Sequence, residues 1–129
     1  MMTISIVVPM HNEETNVAAF FVRVIGVLNS TGATWEIVCV DDGSRDRTYA
    51  ALLAEHAREP RIKVLRLSRN FGKEAALTAG IEHTSGDAVI PIDADLQDPP
   101  ELIPQLLAKW REGFDIVNAA RTSRQGETW

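Results

Sequence analysis

The chain has 129 residues and a formal net charge of −5. This length is enough for one domain with a hydrophobic core. The mildly acidic balance argues against a general nucleic-acid-binding surface, which needs a basic patch. No apolar stretch reaches the length of a membrane span, and the N-terminus does not predict a signal peptide. The single cysteine, Cys39, lies in an apolar run, so we expect a buried, inert thiol in a reducing compartment.

The N-terminal segment predicts a strand followed by a helix. Residues 3–9 form a near-continuous β-branched run, which is typical of a strand buried on both faces, and Pro9 ends it. Asn12, in the next loop, is a candidate N-cap for the helix. The buried face of this helix is predicted from apolar residues at helical spacing, which are Val17, Phe20, Phe21, Val24 and Leu28.

The next segment predicts a strand, a helix and a further strand. The second strand covers residues 35–40, and a helix follows from about Asp46 until Pro60 ends it. The side chains expected to face inward from this helix are Tyr49, Leu52 and Leu53. The third strand, residues 62–67, alternates apolar and basic residues, which indicates a position nearer a sheet edge.

The remaining chain continues the same alternation. A helix after Gly72 carries small residues that allow close packing against a sheet, namely Ala75, Ala76, Ala79 and Gly80. The fourth and fifth strands are predicted at residues 88–92 and 115–119. Between them Asp98 is a predicted N-cap, with proline at the first helical position. The buried stripe of that last helix is predicted to be Leu102, Ile103, Leu106, Leu107 and Trp110.

Five strands alternating with four helices predict an α/β fold with a mostly parallel sheet and helices on both faces. In such sheets, ligands bind beyond the carboxyl ends of the strands. Loops are polar in general, but repeated acids directly after strands are not explained by loop polarity. The charged residues and histidine that follow predicted strands are His11, Glu13, Asp41, Asp42, Asp93, Asp95 and Arg121.

Asp93 and Asp95 follow the fourth predicted strand, where the bending chain lets both side chains turn towards one point. Two close carboxylates repel each other unless a cation lies between them. Mg²⁺ or Mn²⁺ prefers oxygen ligands and leaves positions for phosphate oxygens, and Gln97 offers a third, amide oxygen. The alternative interpretation of this motif is a polar turn that caps the next helix.

Several motifs, in the right order, resemble a known family. A resemblance to the inverting family-two glycosyltransferases of the GT-A fold is carried by residues 5–14 (SIVVPMHNEE), 40–44 (VDDGS) and 93–95 (DAD). The branch that uses polyprenyl phosphates, such as dolichol or undecaprenyl phosphate, is indicated by residues 67–76, 93–100 and 121–129. The resemblance implies a Rossmann-like sheet with the core strand order three-two-one-four. Residues 1–129 would then be the nucleotide-sugar-binding part of a GT-A domain.

The resemblance assigns the nucleotide to two of the loops. The loop that includes Pro9, His11 and Glu13 would hold the base and ribose together with Asp41, and Asp42 would support the same turn. A carboxylate at Asp41 can accept a hydrogen bond from a ring N–H of uracil or guanine. His11 is interpreted as a loop residue near the base rather than as a proton-transfer group.

The resemblance also assigns the diphosphate and the metal. Asp93 would contact ribose and metal, while Asp95 and Gln97 would bind the Mg²⁺ or Mn²⁺ that bridges the diphosphate. Arg121 would face a phosphate of the donor or acceptor, and with Asp93 and Asp95 it completes the expected catalytic set. Lys73, in the first turn of a predicted helix, adds a cation beside backbone N–H groups that favour an anion, although a solvated lysine is the alternative.

The implied reaction is inverting transfer of a sugar from a nucleoside diphosphate, UDP rather than GDP, to a polyprenyl phosphate. The metal would neutralise charge on the departing diphosphate. A phosphate monoester, whose second pKa is about 6, is already largely ionised at neutral pH, so a general base is less necessary.

Members of this family continue through an acceptor-binding half, and many then carry membrane helices. These parts are expected to lie outside the 129 residues, and through them the protein would reach the cytoplasmic, inner face of the cell membrane. Self-association through an uncovered sheet edge is a further expectation. A run of basic residues is read as a solvated face, or alternatively as a surface attracted to anionic lipid: Arg58, Arg61, Lys63, Arg66 and Arg69.

Two other function classes stay open at this point. A nucleotidyltransferase would be expected to carry a glycine-rich, basic loop after the first strand, where this chain has the acidic segment 10–13. A nucleotide-sugar-binding module without turnover is the non-enzymatic alternative.

Overall fold

The computed structural model describes residues 2–95 and 99–111. Its four strands are β1 (Thr3–Met10), β2 (Thr34–Asp41), β3 (Ile62–Arg66) and β4 (Ala88–Pro91). They form one sheet in the order β3-β2-β1-β4, and all three pairings between these strands are parallel. The predicted order is therefore confirmed, and β3 lies at an edge as its alternating pattern indicated. The predicted fifth strand lies outside the described residues.

The described helices are α1 (Val17–Ser30), α2 (Thr48–Arg58), α3 (Lys73–Glu82) and α4 (Ile103–Arg111). A short 3-10 turn, Pro100–Leu102, leads into α4. In this part of the chain, no helix combines the length and hydrophobicity needed to cross a membrane.

Helices cover both faces of the sheet, as predicted. Ile4 and Ile6 of β1 point into the main core, which also contains Phe20 of α1. On the opposite face α3 packs on β1 so closely that a Cβ on Gly80 would lie 2.5 Å from Val7 Cγ1. Glycine at this position therefore lets the helix backbone approach the sheet.

The predicted buried face of α1 is confirmed at all five positions: Val17, Phe20, Phe21, Val24 and Leu28. The N-cap prediction is wrong, because the cap residue is Asn16 and not Asn12. Asn12 instead lies in the preceding loop with a φ of 53°, and its side-chain oxygen accepts a hydrogen bond from the Arg45 amide at 2.8 Å. Its short amide side chain makes this left-handed conformation tolerable.

Two further burial predictions are corrected by the position of each residue on its helix. Leu52 of α2 is buried, but Leu53 is 42% exposed, since one residue turns the side chain about 100° around the helix axis. Ala76 of α3 is buried, whereas Ala75 is exposed for the same reason. The α4 stripe is confirmed at Ile103, Leu106 and Leu107, with Leu102 and Trp110 half-buried.

The sheet order explains where a crevice forms. The chain runs outward from β1 through β2 to β3, and then returns to place β4 on the other side of β1. Right-handed crossovers put α1 and α2 on one face and α3 on the other. At the point of reversal, between β1 and β4, the loops after the two strands leave in different directions and a ligand site opens at the carboxyl ends.

A buried carboxylate network lies near the other, amino-terminal ends of the strands. Glu36 of β2 is 5% exposed, and its carboxylate accepts hydrogen bonds from Ser5 Oγ, Ser85 N and Lys63 Nζ, each at 2.6 Å. Burial alone would raise the pKa of Glu36, but these three hydrogen bonds and the Lys63 charge outweigh it and lower the pKa to about 2. Ser5 also accepts a hydrogen bond from Gly86 N, so the network ties β4 to the sheet.

Cys39 is fully buried in β2, as predicted. Burial, with a smaller contribution from the Glu55 charge, raises the pKa of its thiol. A thiol that stays protonated is a poor nucleophile, which agrees with the predicted structural role.

The predicted basic run is largely neutralised by ion pairs. The partners are Glu55 for Arg58, Glu59 for Arg61, Glu36 for Lys63 and Asp41 for Arg66. The fifth residue, Arg69, places its guanidinium 4.6 Å from the centre of the Phe71 ring. These contacts favour the solvated-face interpretation, while attraction to a membrane stays a prediction.

Candidate active site

A cavity of about 510 Å³ opens at the carboxyl ends of β1 and β4. It lies at the point where the strand order reverses, as the sheet topology requires. Seven of the residues predicted from the sequence line it: Pro9, His11, Glu13, Asp42, Lys73, Asp93 and Asp95. Asp41 is not in the lining, and Gln97 and Arg121 lie outside the described residues.

The loop after β1 is held against the loop after β2 by hydrogen bonds. The backbone N–H of Asn12 donates to Ser44 Oγ at 2.9 Å, and the backbone N–H of Glu13 donates to Thr48 Oγ1 at 2.8 Å. These bonds fix the backbone of the segment that was predicted to hold a nucleotide.

His11 is engaged through both ring nitrogens. Nδ1 lies 2.8 Å from the Asp42 carbonyl, which can only accept, so Nδ1 carries the proton. Nε2 is then the acceptor for the Asn70 side-chain amide at 2.9 Å. These contacts tie His11 into the loops after β1 and before α3, and its predicted position near a base is not tested by them.

Asp42 occupies the N-terminus of α3. Its two carboxylate oxygens accept hydrogen bonds from Phe71 N at 2.8 Å and Gly72 N at 3.0 Å. These two N–H groups, which precede the first turn of α3, are therefore taken by Asp42, whereas the predicted attraction of an anion to the first-turn N–H groups beside Lys73 is not tested and stays a prediction. A carboxylate is stabilised there by the helix dipole, and it fixes where α3 begins.

Asp41 is fully buried behind the cavity wall. One carboxylate oxygen accepts a hydrogen bond from Ser44 N at 3.2 Å. The other, Oδ2, lies 3.6 Å from Arg66 Nε and is the one buried side-chain nitrogen or oxygen in the described part of the chain without a hydrogen-bond partner. Asp41 thus keeps an uncommitted acceptor, but its predicted contact with a base is not tested by this arrangement.

Asp93 and Asp95 both line the cavity after β4. The Lys73 ammonium lies 2.6 Å from Asp93 Oδ1, so a cation already balances one of the two acids. Carboxylate oxygens suit Mg²⁺ or Mn²⁺. Among the described residues, however, no three His, Cys, Asp or Glu side chains form a group that could hold a metal by themselves. The two aspartates therefore fit a partial ligand set that other oxygens must complete.

A second cavity, of about 620 Å³, adjoins the first across His11 and Asn70. Its wall includes Gly43, Arg45 and Arg69. Gly43 has a φ of 68° and its Cα faces the backbone of residues 69–70 so closely that any Cβ would overlap it.

Asn70, Arg45 and Arg69 were not among the predicted site residues. The available signal was the segment 67–76, which carried part of the family resemblance and contains Asn70 and Arg69. Arg45 had no distinguishing signal, because a charged residue in a polar loop is common.

The fold and site define a class of protein, and comparison with known proteins agrees with it. Residues 5–129 match the family described as Glycosyl transferase family 2. The chain belongs to this family, and its sheet has the GT-A, Rossmann-like fold. The nucleotidyltransferase alternative is not supported by these matches.

Individual relatives are similar to the chain over almost its whole length. The chain is 59% identical over 126 residues to an uncharacterized glycosyltransferase of Synechocystis sp., covering 98% of this chain and 40% of the relative. It is 48% identical over 123 residues to the bactoprenol glucosyl transferase of Shigella phage SfX, covering 95% of this chain and 40% of the relative. The chain therefore spans about two-fifths of the length of these relatives.

Solved structures show the same architecture. A mannosyltransferase of Pyrobaculum calidifontis, in complex with GDP-Man and Mn²⁺, superposes with a TM-score of 0.70 at 25% identity, covering 83% of this chain and 31% of that one. Glucosyl-3-phosphoglycerate synthase of Mycobacterium tuberculosis, in complex with Mn²⁺, UDP and glucosyl-3-phosphoglycerate, superposes with a TM-score of 0.67 at 29% identity. The match covers 84% of this chain and 39% of that one.

Proposed function

We propose that the protein transfers a sugar from a nucleoside diphosphate, UDP in preference to GDP, to a polyprenyl phosphate with inversion at the sugar carbon. The observation that carries this proposal is the cavity between β1 and β4, which brings Asp93, Asp95 and Lys73 together. Membership of family 2 and the similarity to a bactoprenol glucosyl transferase support the choice of donor and acceptor class.

Mg²⁺ or Mn²⁺ would be held by Asp93 and Asp95, with Gln97 as the proposed third protein ligand. When bound, the ion supplies Lewis-acid stabilisation of the charge on the departing diphosphate. The presence of Mn²⁺ in two of the similar solved structures supports this proposal. The remaining coordination positions would be available to phosphate oxygens, which agrees with an incomplete protein ligand set.

The protein's own residues would position the donor. The loop from Pro9 to Glu13 would contact the base and ribose, and Asp41 Oδ2 offers an acceptor for a base N–H. Because that oxygen is buried and has no hydrogen-bond partner, a hydrogen bond to it would relieve an unfavourable desolvated state. Arg66, 54% exposed beside Asp41, would have to move to admit the base.

The acceptor side rests on residues that the structure does not describe. Arg121 is proposed to bind a phosphate of donor or acceptor, since a guanidinium forms paired hydrogen bonds with phosphate. The polyprenyl phosphate is already ionised at neutral pH and would attack without a strong general base. We place the reaction at the cytoplasmic face of the cell membrane, and self-association of the protein stays a proposal.

A transfer assay tests the function directly. Purified protein is incubated with Mn²⁺, undecaprenyl phosphate and radiolabelled UDP-glucose, and labelled lipid is extracted and counted. We expect labelled lipid with the wild type, less with GDP-glucose and none with chelator. Binding of UDP-glucose without labelled lipid, for any of several UDP-sugars, would instead favour a binding module without turnover.

A further inference from the structure

The charge balance of the cavity singles out one side chain. Its described lining contains four acids, Glu13, Asp42, Asp93 and Asp95, and a single lysine or arginine, Lys73. The Lys73 ammonium lies on Asp93, the residue proposed to bind a metal. Asp93 therefore has two candidate cations, one belonging to the chain and one from solution.

We propose that Lys73 is a displaceable internal counter-ion. Its ammonium neutralises Asp93 while the site is empty and releases that carboxylate when Mg²⁺ or Mn²⁺ binds. This inference rests on the proposed function, because it takes Asp93 as a metal ligand.

The exposure of the pair makes displacement feasible. The Lys73 side chain is 59% exposed and that of Asp93 is 27% exposed, so the ammonium keeps much of its hydration and the carboxylate keeps a part of it. Ion pairs of this kind contribute little to stability, since water screens them and a long side chain loses freedom on pairing. A divalent cation carries twice the charge and can bind Asp93 and Asp95 together.

The backbone keeps Lys73 within reach after it is released. Lys73 is the first residue of α3, and the preceding amides of Phe71 and Gly72 are held by Asp42. Only the lysine side chain has to swing, while its Cα stays at the cavity wall. The released ammonium remains where a diphosphate would bring negative charge.

Competition of this kind lowers the metal affinity of the nucleotide-free protein. Replacing Lys73 with a neutral residue should therefore tighten Mn²⁺ binding by about three- to tenfold, the range expected for removing one partly screened positive charge. The gain should shrink as salt concentration rises, because exposed charges are screened by ions.

The test titrates Mn²⁺ into nucleotide-free protein, with free Mn²⁺ followed by electron paramagnetic resonance. The variants are Lys73→Met and Lys73→Gln, with Lys73→Arg as the charge-conserving control. Lys63→Met is the matched control at the other end of the sheet, since Lys63 also lies 2.6 Å from a carboxylate, Glu36. Thermal melting establishes that each variant is folded, and the two neutral variants guard against one of them failing to fold.

Displacement itself is read from the lysine ammonium resonances in an NMR titration with diamagnetic Mg²⁺. The Lys73 signal, assigned by its loss in Lys73→Arg, should shift towards that of a free lysine, while the Lys63 signal stays in place. Tighter Mn²⁺ binding in the neutral Lys73 variants, with Lys73→Arg and Lys63→Met close to wild type, would support the proposal.

Four results would overturn it. Unchanged or weaker Mn²⁺ binding in both neutral variants would show that Lys73 does not compete with the metal ion. An unmoved Lys73 signal would show that Mg²⁺ does not displace the ammonium. Neither of these two results would contradict the proposed metal site. An equal gain in Lys63→Met would assign the effect to net charge. Failure of the nucleotide-free wild type to bind Mn²⁺ would also overturn this inference, and failure to bind Mn²⁺ in the presence of UDP as well would overturn the metal part of the proposed function.

Discussion

Two lysine–carboxylate pairs lie at opposite ends of the same sheet with the same separation of 2.6 Å. At the amino-terminal end Glu36 is buried, and serine donors share its carboxylate with Lys63. At the carboxyl end Asp93 lies on an open cavity beside another acid, Asp95. The length of an ion pair therefore does not reveal its role. Burial and the number of additional donors distinguish the closed network at Glu36 from the open pair at Asp93, for which we propose exchange with a metal ion.

The largest effect is expected from Glu36→Gln. The substitution keeps the size of the side chain but removes the charge that Lys63, Ser5 and Ser85 stabilise. The shift of the Glu36 pKa from 4.5 to about 2 corresponds to about 3 kcal/mol of folding free energy as an upper limit. Urea unfolding at pH 7 measures the loss. Unchanged Mn²⁺ affinity in this variant would confirm that the two ends of the sheet are independent. Unchanged stability would contradict the structural role assigned to the Glu36 network.

Low pH should reduce the stabilisation that the Glu36 network provides, over a pH range set by the folded and unfolded pKa of Glu36. Since the folded pKa is below the unfolded one, the stabilisation is complete above pH 4.5 and is lost as pH falls towards 2. Between pH 5 and 3 the wild type should lose about 2 kcal/mol more than Glu36→Gln. Parallel urea titrations of both proteins across this range provide the measurement. Identical pH profiles would show that another carboxylate carries the acid sensitivity.

A substitution without charge tests the packing of the same network. A Cβ at Gly86 would overlap Ser5 Oγ and lie 2.9 Å from the Ser5 amide and the Thr3 carbonyl. Gly86→Ala should therefore cost about 1.5 kcal/mol of stability, as for overpacking of a tight site. Gly26→Ala is the control, since Gly26 lies in α1 with open space around it and alanine favours a helix. Equal melting temperatures for the two variants would contradict this account.

The smallest effect in free energy, but the most specific, is expected from Asp95→Asn at the open end. The variant keeps a neutral oxygen and loses the charge that a hard cation prefers, so Mn²⁺-dependent UDP binding should weaken by about tenfold. Uridine binding should hardly change. Calorimetry with UDP and uridine, with and without Mn²⁺, measures both.

Asp93→Asn is the companion variant, because Asp93 is proposed to meet both ribose and metal. It should weaken uridine as well as UDP binding. The alternative that these aspartates merely cap a helix predicts altered melting temperatures with unchanged metal dependence. Unchanged metal dependence in Asp95→Asn would make the motif a turn and would leave Glu36 and Asp93 as two structural ion pairs.

Much of the fold and part of the site could be predicted from sequence. Hydrophobic periodicity identified β1 to β4 and the buried face of α1 correctly, because burial on a helix or strand repeats with a known period, while the fifth predicted strand stays a prediction. The carboxyl-end position of Asp42, Asp93 and Asp95 followed from the parallel-sheet rule and was confirmed. The roles assigned to individual residues by family resemblance stay predictions.

Other features could not be read from the chain. Asp41 and Asp42 are neighbours with the same side chain, yet Asp41 is sealed behind the wall and Asp42 lines the cavity, because successive residues at a strand end point in opposite directions. In the sequence, Glu36 is a single charged residue within the apolar run 35–40. Its network depends on Ser5 lying beside it in register across β1 and β2, and on Lys63 from β3.

By itself the sequence determined the periodic pattern of strands and helices, and through its motifs the family and the general place of the site. Local patterns suffice for these, because each depends on neighbours within a few residues. Only the tertiary structure decided that Lys73 meets Asp93, that Asp42 holds the start of α3, and that Glu36 is enclosed. Each of these contacts joins residues 20 or more positions apart, and the strand order with its helix packing sets the distance between them.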